Sequence, residues 1–349
     1  MKALTYHGPG IKAWEDVPAP TITDPGDIIV KTLATTICGT DLGILHGKVP
    51  DTPLGTTFGH ESVGIVTEVG SQVTKHQVGD RVLVSCISSC GNCSYCSSGV
   101  AAHCQAGGGW ILGHHINGTI AEYVRVPFAD KSAYTLPEHV ASDEALMLSD
   151  IFPTGYEIGV LKGTVKQGDV VAVVGAGPVG LSAIATAAAL KKPAAIIAID
   201  LDPNRLNKAK ALGATHGISA SEGDWKEQVL ALTDGLGVDV ALEAVGLPQT
   251  WDTALALVRP GGHLAVIGVH GKPVNFPLEE CWIRNLTITT GLVSAVSTPE
   301  LLGKLVAGQL DTSAMITHRF SLSQIDAAWD VFENAAASGS IKVLLEADA

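Results

Sequence analysis

Four cysteines fall within one fifteen-residue stretch, spaced Cys90-x-x-Cys93-x-x-Cys96-x7-Cys104. Zinc in a structural site takes four soft ligands tetrahedrally and keeps no open position. Such a loop would be fixed by its ion and would not carry out catalysis. Four thiolates also suit an iron–sulfur cluster. The total of seven cysteines is odd, and Met1 to Gly10 lacks a basic segment followed by an apolar run. The crowding therefore reads as metal binding in a reducing, cytoplasmic setting, not as disulfides. A second set of soft and nitrogen donors is more dispersed: Cys38 in Ile37-Cys38-Gly39-Thr40-Asp41, and His60 in Gly59-His60-Glu61. Taken singly, a cysteine is often a small core residue and a histidine a hydrogen-bonded one, so these two leave the chemistry open.

A third pattern concerns phosphate. Gly175-Ala176-Gly177-Pro178-Val179-Gly180 fits G-x-G-x-x-G. It follows an apolar strand and opens a helix, which is the context the motif requires. The first glycine makes the tight turn, the second admits the pyrophosphate and the third lets helix and strand approach. The phosphates then meet the positive helix N-terminus. Asp200 ends the next strand, where a carboxylate accepts hydrogen bonds from the ribose hydroxyls and repels a 2′-phosphate, favouring NAD over NADP. Arg205 pulls the other way if it pairs with phosphate, or it stacks near the adenosine. The same glycines would also serve a turn in a domain that binds nothing, with Asp200 as a helix cap.

These groups need elements to hold them. Residues 1–150 are rich in β-branched residues with Gly and Pro punctuation, and Ile28–Thr35, Gly64–Val69 and Arg81–Cys86 read as strands. Near Asp150 the pattern changes to alternating strand and helix. Strands are expected at 170–174, 195–199, 238–242 and 264–269, and helices at 180–190, 204–212, 225–232 and 251–258. That rhythm argues for a parallel sheet with crossover helices. It fades after about residue 290, and the tail 291–349 is free to return to the first domain, leaving 151–290 as the cofactor domain. Hydrophobic residues are 46% and charged residues 16% of the chain, so sizeable cores can be buried. The formal net charge is −13 with no Lys/Arg cluster, which excludes a phosphate-backbone binder. No apolar run is long enough to span a membrane.

Gly59-His60-Glu61-Ser62-Val63-Gly64, followed by Val69-Gly70, Val73 and Gly79-Asp80-Arg81-Val82, resembles the signature of zinc-containing medium-chain alcohol dehydrogenases. The Cys-Gly-Thr-Asp segment, the four-cysteine loop and the nucleotide fingerprint follow in that family's order, across nearly the whole chain. The resemblance implies a GroES-like, β-rich catalytic domain and a doubly wound Rossmann domain with a cleft between them. It also implies two zinc ions per chain. Cys38 and His60 match two ligands of the catalytic zinc. The third is usually cysteine, and here Asp150 of Asp150-Ile151-Phe152-Pro153-Thr154-Gly155 occupies its position, which is similar to bacterial secondary-alcohol dehydrogenases. Glu61 matches a glutamate that approaches the metal, either as a ligand or behind one.

The activity so implied is hydride transfer between an alcohol and C4 of a nicotinamide, with zinc as Lewis acid. Thr40 matches the hydroxyl residue that passes on the substrate proton. Relatives end the relay with a histidine where this chain has Gly43, so His46 or water must take that part. Thr154 resembles a threonine packed on the nicotinamide. Ile267, Val269, Leu292 and Val293 resemble positions lining the ring and its carboxamide, or serve as ordinary core. Trp110, with Ile87, resembles a substrate-pocket wall suited to small secondary alcohols and ketones, while His114 and His115 in the same loop match no ligand and read as surface or hydrogen-bonded residues. The rival activities are polyol or amino-alcohol oxidation, as in the sorbitol- and threonine-dehydrogenase branches. A non-enzymatic cofactor-binding relative is the alternative of a different class. The family implies dimers or tetramers, and its bacterial secondary-alcohol members a homotetramer.

Overall fold

The computed structural model describes residues 1–348 of the 349-residue chain. The chain divides into two compact units. The first comprises Met1–Asp150, Ser294–Ala307 and the chain from Met315 onward; the second comprises Ile151–Val293 and Gly308–Ala314.

The first unit begins with a hairpin, β1 (Lys2–Tyr6) and β2 (Lys12–Asp16). Its main sheet is built from β3 (Ile28–Thr36), β4 (Ser62–Val69), β5 (Arg81–Val84), β6 (Tyr123–Val126) and β7 (Ala133–Thr135). The run Ile-Ile-Val-Lys-Thr-Leu-Ala-Thr-Thr makes β3 a strand through its β-branched residues. It is the hub, pairing antiparallel with β4 and with β6. Two further strands come from the end of the chain, separated from β3 by the whole second unit. They are β14 (Ile316–Ser321) and β15 (Lys342–Glu346), and β15 pairs antiparallel with β3, Leu344 facing Thr36. The core beneath includes Phe58 and the fully buried Trp329, with ring centroids 5.3 Å apart at 64°. Such an edge-on pair adds about 0.5–1.5 kcal/mol beyond burial.

The second unit is a six-stranded, all-parallel sheet. Its strands are β8 (Val170–Val174), β9 (Ala195–Asp200), β10 (His216–Ser219), β11 (Val238–Glu243), β12 (Val258–Val266) and β13 (Thr287–Thr290). Their order is β10-β9-β8-β11-β12-β13, so the winding reverses between β8 and β11. In a doubly wound sheet the crevice at the carboxyl ends of such a pair takes the ligand. A helix from Ile151 to Leu161, with a π-helical turn over Gly155–Leu161, packs on the helix Pro178–Thr186. The contact is close: a Cβ on Gly155 would stand 2.3 Å from Ser182 Oγ.

Several element bounds differ from the expectations. The strand expected at 264–269 runs from Val258 to Val266, and the helix before it ends at Leu257. It stops there because the N–H groups of Ile267 and Gly268 both turn to Glu243 O. The strand expected at 81–86 ends at Val84, since Ser85 and Cys86 donate to Ser132 and Ser149 carbonyls outside the sheet. The helix expected to open at Gly180 begins at Pro178, whose fixed φ and missing N–H suit a first turn. The strands β10 and β13 were not anticipated. Among the described residues no helix is long and apolar enough to cross a membrane.

Candidate active site

In the first unit, the turn after β3 puts Cys38 just before the helix Gly39–Leu45. Asp41, fully buried in that helix, accepts the Cys38 N–H at 2.8 Å and the Gly59 N–H at 3.0 Å. One carboxylate thus ties the cysteine turn to the His60 turn. Gly59, at φ +94°, makes that turn, where a Cβ would strike Ile120 and Thr119 at 2.7 Å.

The result is a converging cluster. One ligand atom each from Cys38, His60, Glu61 and Asp150 lies within 4.8 Å of the others. His60 Nε2 is 3.3 Å from Asp150 Oδ2, which is 3.8 Å from Cys38 Sγ. Two nitrogen or oxygen ligands on one tetrahedral zinc stand about 3.3 Å apart. Glu61 is fully buried, and its Oε2 has no hydrogen-bond partner. A bare buried carboxylate oxygen is costly unless a cation answers it. The donor set and this orphaned oxygen fit a divalent metal. Thr40 Oγ1 lies 3.7 Å from Cys38 Sγ, in the same half-buried turn.

The electrostatics are dominated by burial. Burial lowers His60's affinity for a proton, but Asp150, Cys38 and Asp41 outweigh it and hold the imidazole well above its ordinary range. Burial pushes the Glu61 carboxyl up, against the pull of Lys342. Lys342, 1% exposed, donates to Glu61 Oε1 at 2.7 Å and to Ile37 O at 3.4 Å. Burial works against its charge, and the Glu61 carboxylate outweighs that and raises its pKa. Sequence reading missed Lys342. The signal was present: one lysine inside the apolar run Ile341-Lys342-Val343-Leu344-Leu345.

The four-cysteine loop is also assembled. Cys90, Cys93, Cys96 and Cys104 bring their sulfurs within 4.8 Å of one another, with Cys90 and Cys96 Sγ 3.9 Å apart. A tetrahedral Zn–S₄ site needs about 3.8 Å. Backbone N–H groups aim at the sulfurs: Asn92 and Cys93 at Cys90, Gln105 at Cys93, and Cys90 at Cys104. Those from Cys96 and Gln105 pull the Cys93 thiol down to about 6, favouring the thiolate that binds metal. No disulfide forms among the described residues.

In the second unit, Gly175 takes φ +97°. A Cβ on Gly180 would stand 1.9 Å from Gly175 O, so only glycine allows this helix to start so close to the strand. Gly177 is open: a Cβ there would meet only Arg205 Nη1, at 4.0 Å. Pro178 and Val179 form the first turn. Asp200 accepts the Ala176 N–H at 2.6 Å and the Asp202 N–H at 2.9 Å, which fixes its carboxylate beside the glycine turn. Arg205 lies 3.9 Å from Asp202. Thr154 is half-buried; Ile267 and Val293 are buried, whereas Val269 is 88% and Leu292 47% exposed.

Ile87 is buried beside Cys86, whose N–H donates to Ser149 O one residue before Asp150. Trp110 is half-buried against the core of the first unit, its ring stacked on His114. Around Gly43 a Cβ would meet nothing within 4 Å. His46 Nε2 turns to Glu333 at 2.9 Å, both exposed.

A mixed sulfur, nitrogen and oxygen metal centre in a β-rich unit, followed by a dinucleotide crevice, defines a metal-dependent dehydrogenase. The comparisons agree. Residues 24–138 match the family description "Alcohol dehydrogenase GroES-like domain" and residues 178–307 match "Zinc-binding dehydrogenase". An alcohol dehydrogenase of Cupriavidus necator is 35% identical, over 99% of this chain and 98% of its own. A sorbitol dehydrogenase of Halalkalibacterium halodurans is 34% identical over 99% of each. The solved apo structure of a zinc-dependent alcohol dehydrogenase from Streptococcus pneumonia has TM-score 0.95 at 47% identity, covering 100% of this chain and 99% of that one. The chain belongs to the zinc-containing medium-chain alcohol dehydrogenase family, and it is an oxidoreductase.

Proposed function

We propose that the chain is an NAD-linked dehydrogenase of small secondary alcohols, working also as a ketone reductase, with one catalytic and one structural zinc. The observation that carries this reading is the convergence of Cys38, His60, Glu61 and Asp150 in a chain whose second unit pairs a glycine fingerprint with Asp200. When bound, zinc supplies Lewis acidity to the alcohol oxygen and NAD accepts the hydride. Cys38, His60 and Asp150 would hold the metal, with the buried Glu61 beside them as a further ligand or behind one. Thr40 takes the hydroxyl proton and hands it outward. With His46 engaged by Glu333, water completes the path past Gly43. Ile87 and Trp110 wall an apolar pocket that excludes water and suits unequal small substituents. Thr154, Ile267, Val269, Leu292 and Val293 flank the nicotinamide. Asp200 binds the ribose hydroxyls and sets NAD above NADP, with Arg205 beside the adenosine.

The cysteine loop keeps its thiolates in the reducing cytoplasm. Exposed Trp282 and Ile283 support contact between copies, and we propose a homotetramer, with a dimer as the smaller alternative. A second reading, polyol oxidation, draws support from the sorbitol dehydrogenase relative. Retention of all four ligand residues speaks against a cofactor-binding protein without activity. The deciding experiment couples metal analysis to a substrate panel. Two zincs per chain and NADH-dependent reduction of small methyl ketones are expected. Polyol oxidation without ketone reduction would overturn the substrate class, and a single zinc would overturn the catalytic centre.

A further inference from the structure

A third cluster of metal-ligand type lies in the first unit, in residues the dehydrogenase reaction does not use. Asp51 follows the Gly39–Leu45 helix on a loop, and His114 and His115 lie on the loop after Trp110. The ligand atoms of all three lie within 4.8 Å of one another. His114 Nε2 is 3.0 Å from Asp51 Oδ1, and His115 Nε2 is 3.4 Å from Asp51 Oδ2. These are the separations of ligands sharing one ion, about 3.3 Å.

The His114 tautomer strengthens the case. Its Nδ1 lies 3.3 Å from Trp110 O. A carbonyl only accepts, so Nδ1 carries the proton and Nε2 of the neutral ring presents a bare lone pair. That nitrogen is buried and no donor reaches it; the polar atom beside it, Asp51 Oδ1 at 3.0 Å, is itself an acceptor. Two acceptor atoms 3.0 Å apart repel each other unless a cation lies between them. An Nδ1–H bound to a backbone carbonyl is also how metal-binding histidines are commonly oriented. The ring is held rigidly, stacked on Trp110 at 4.2 Å and 22°, and its centroid is 3.8 Å from that of His115. The side chains of Asp51 and His115 are 60% and 49% exposed, giving an ion a path in and room for water as further ligands.

We propose that Asp51, His114 and His115 form a third metal site, a two-histidine, one-carboxylate site that reversibly takes a divalent transition cation such as Zn²⁺ or Ni²⁺. Imidazole and carboxylate select these ions over Mg²⁺ and Ca²⁺. An ion here would tie the Asp51 loop to the loop that carries Trp110. The site stands independently of the proposed activity, because none of its residues belongs to either cysteine-containing centre.

The test is calorimetric titration of tag-free, zinc-loaded protein with Ni²⁺, after its resident zinc has been counted. The wild type is expected to take one further equivalent. The double variant Asp51→Asn, His115→Gln alters two exposed side chains and should fold normally, retain its resident zinc and bind the added Ni²⁺ at least tenfold more weakly. No further equivalent in the wild type, or equal binding by the double variant, would overturn the proposal. A failure of the catalytic centre would appear separately, in the zinc count before titration.

Discussion

Replacing Lys342 by methionine keeps the side chain's volume and removes its charge. Lys342 is 1% and Glu61 0% exposed, and among the described residues their 2.7 Å contact is the one hydrogen bond the Glu61 carboxyl makes to a protein donor. Removing one partner of such a pair leaves the other buried and uncompensated, at a cost of about 3–5 kcal/mol. The Ile37 carbonyl also loses a donor, 3.4 Å away. A zinc ion beside Glu61 would offset part of this, so we expect a loss of about 3 kcal/mol in the zinc-loaded protein, roughly a hundredfold in the folding equilibrium. The assay is urea unfolding of wild type, K342M, E61Q and the double variant. The pair predicts that the double variant loses less than the two single losses together, by about 1–2 kcal/mol. If K342M unfolds within about 1 kcal/mol of wild type, or if the two losses simply add, then Lys342 does not neutralise Glu61 and its buried charge needs another account.

Asp150→Ala should abolish alcohol oxidation and lower the zinc count from two to one, since the four-cysteine site does not share this ligand; metal analysis reads the count. Cys96→Ser should remove the other zinc and lower the unfolding temperature, because residues 90–104 carry only Ala101, Ala102 and Cys104 as buried apolar residues and have little core of their own. Asp200→Ala should reduce the kcat/KM preference for NAD over NADP by about 10–100-fold, the worth of one or two charged hydrogen bonds; an unchanged ratio in steady-state kinetics would remove Asp200 from the ribose site. Asp130 offers a pH test. Burial pushes its carboxyl up, but the Thr74 hydroxyl and the N–H groups of Lys75 and Thr74 outweigh that and hold it below its usual range. Its stabilisation is then present above the unfolded carboxyl's pKa and lost as pH falls through the lowered value. Asp130→Asn should destabilise at pH 7, with the gap closing below about pH 4.

What could be read from sequence was what lies close along the chain. The cysteine loop closes within fifteen residues, and the glycine fingerprint, its strand and Asp200 span thirty-one, from Val170. Their spacing alone brings them together. The long-range partners were less legible. Lys342 and Glu61 are 281 residues apart, and no local periodicity announces their meeting. Asp51 and His114 likewise meet only through the fold. The strand β10 escaped notice because His-Gly-Ile-Ser has neither alternation nor an apolar run, and its place is fixed by parallel pairing with β9. β13, Thr-Ile-Thr-Thr, is half-exposed at a sheet edge and carries a single large apolar residue. The apolar run continues past β12 to Ile267 and Val269, but the strand ends at Val266 because the N–H groups of Ile267 and Gly268 turn to Glu243 O.

The pairing of β15 with β3 has a consequence for biosynthesis. Thr36 Oγ1 donates to Val343 O across 307 residues of chain. As the chain leaves the ribosome, the strands of the cofactor unit emerge one after another and can pair at once. β3 must wait, with that edge unfilled, until the cofactor unit has been made and β15 follows it. Lys342, the counter-charge of Glu61, arrives on the same late strand. Domains made first tend to fold first, but here the unit that carries β3 is completed only after most of the other unit has been made. A chain terminated before β15 would therefore carry a complete nucleotide fold and a metal centre without its counter-charge.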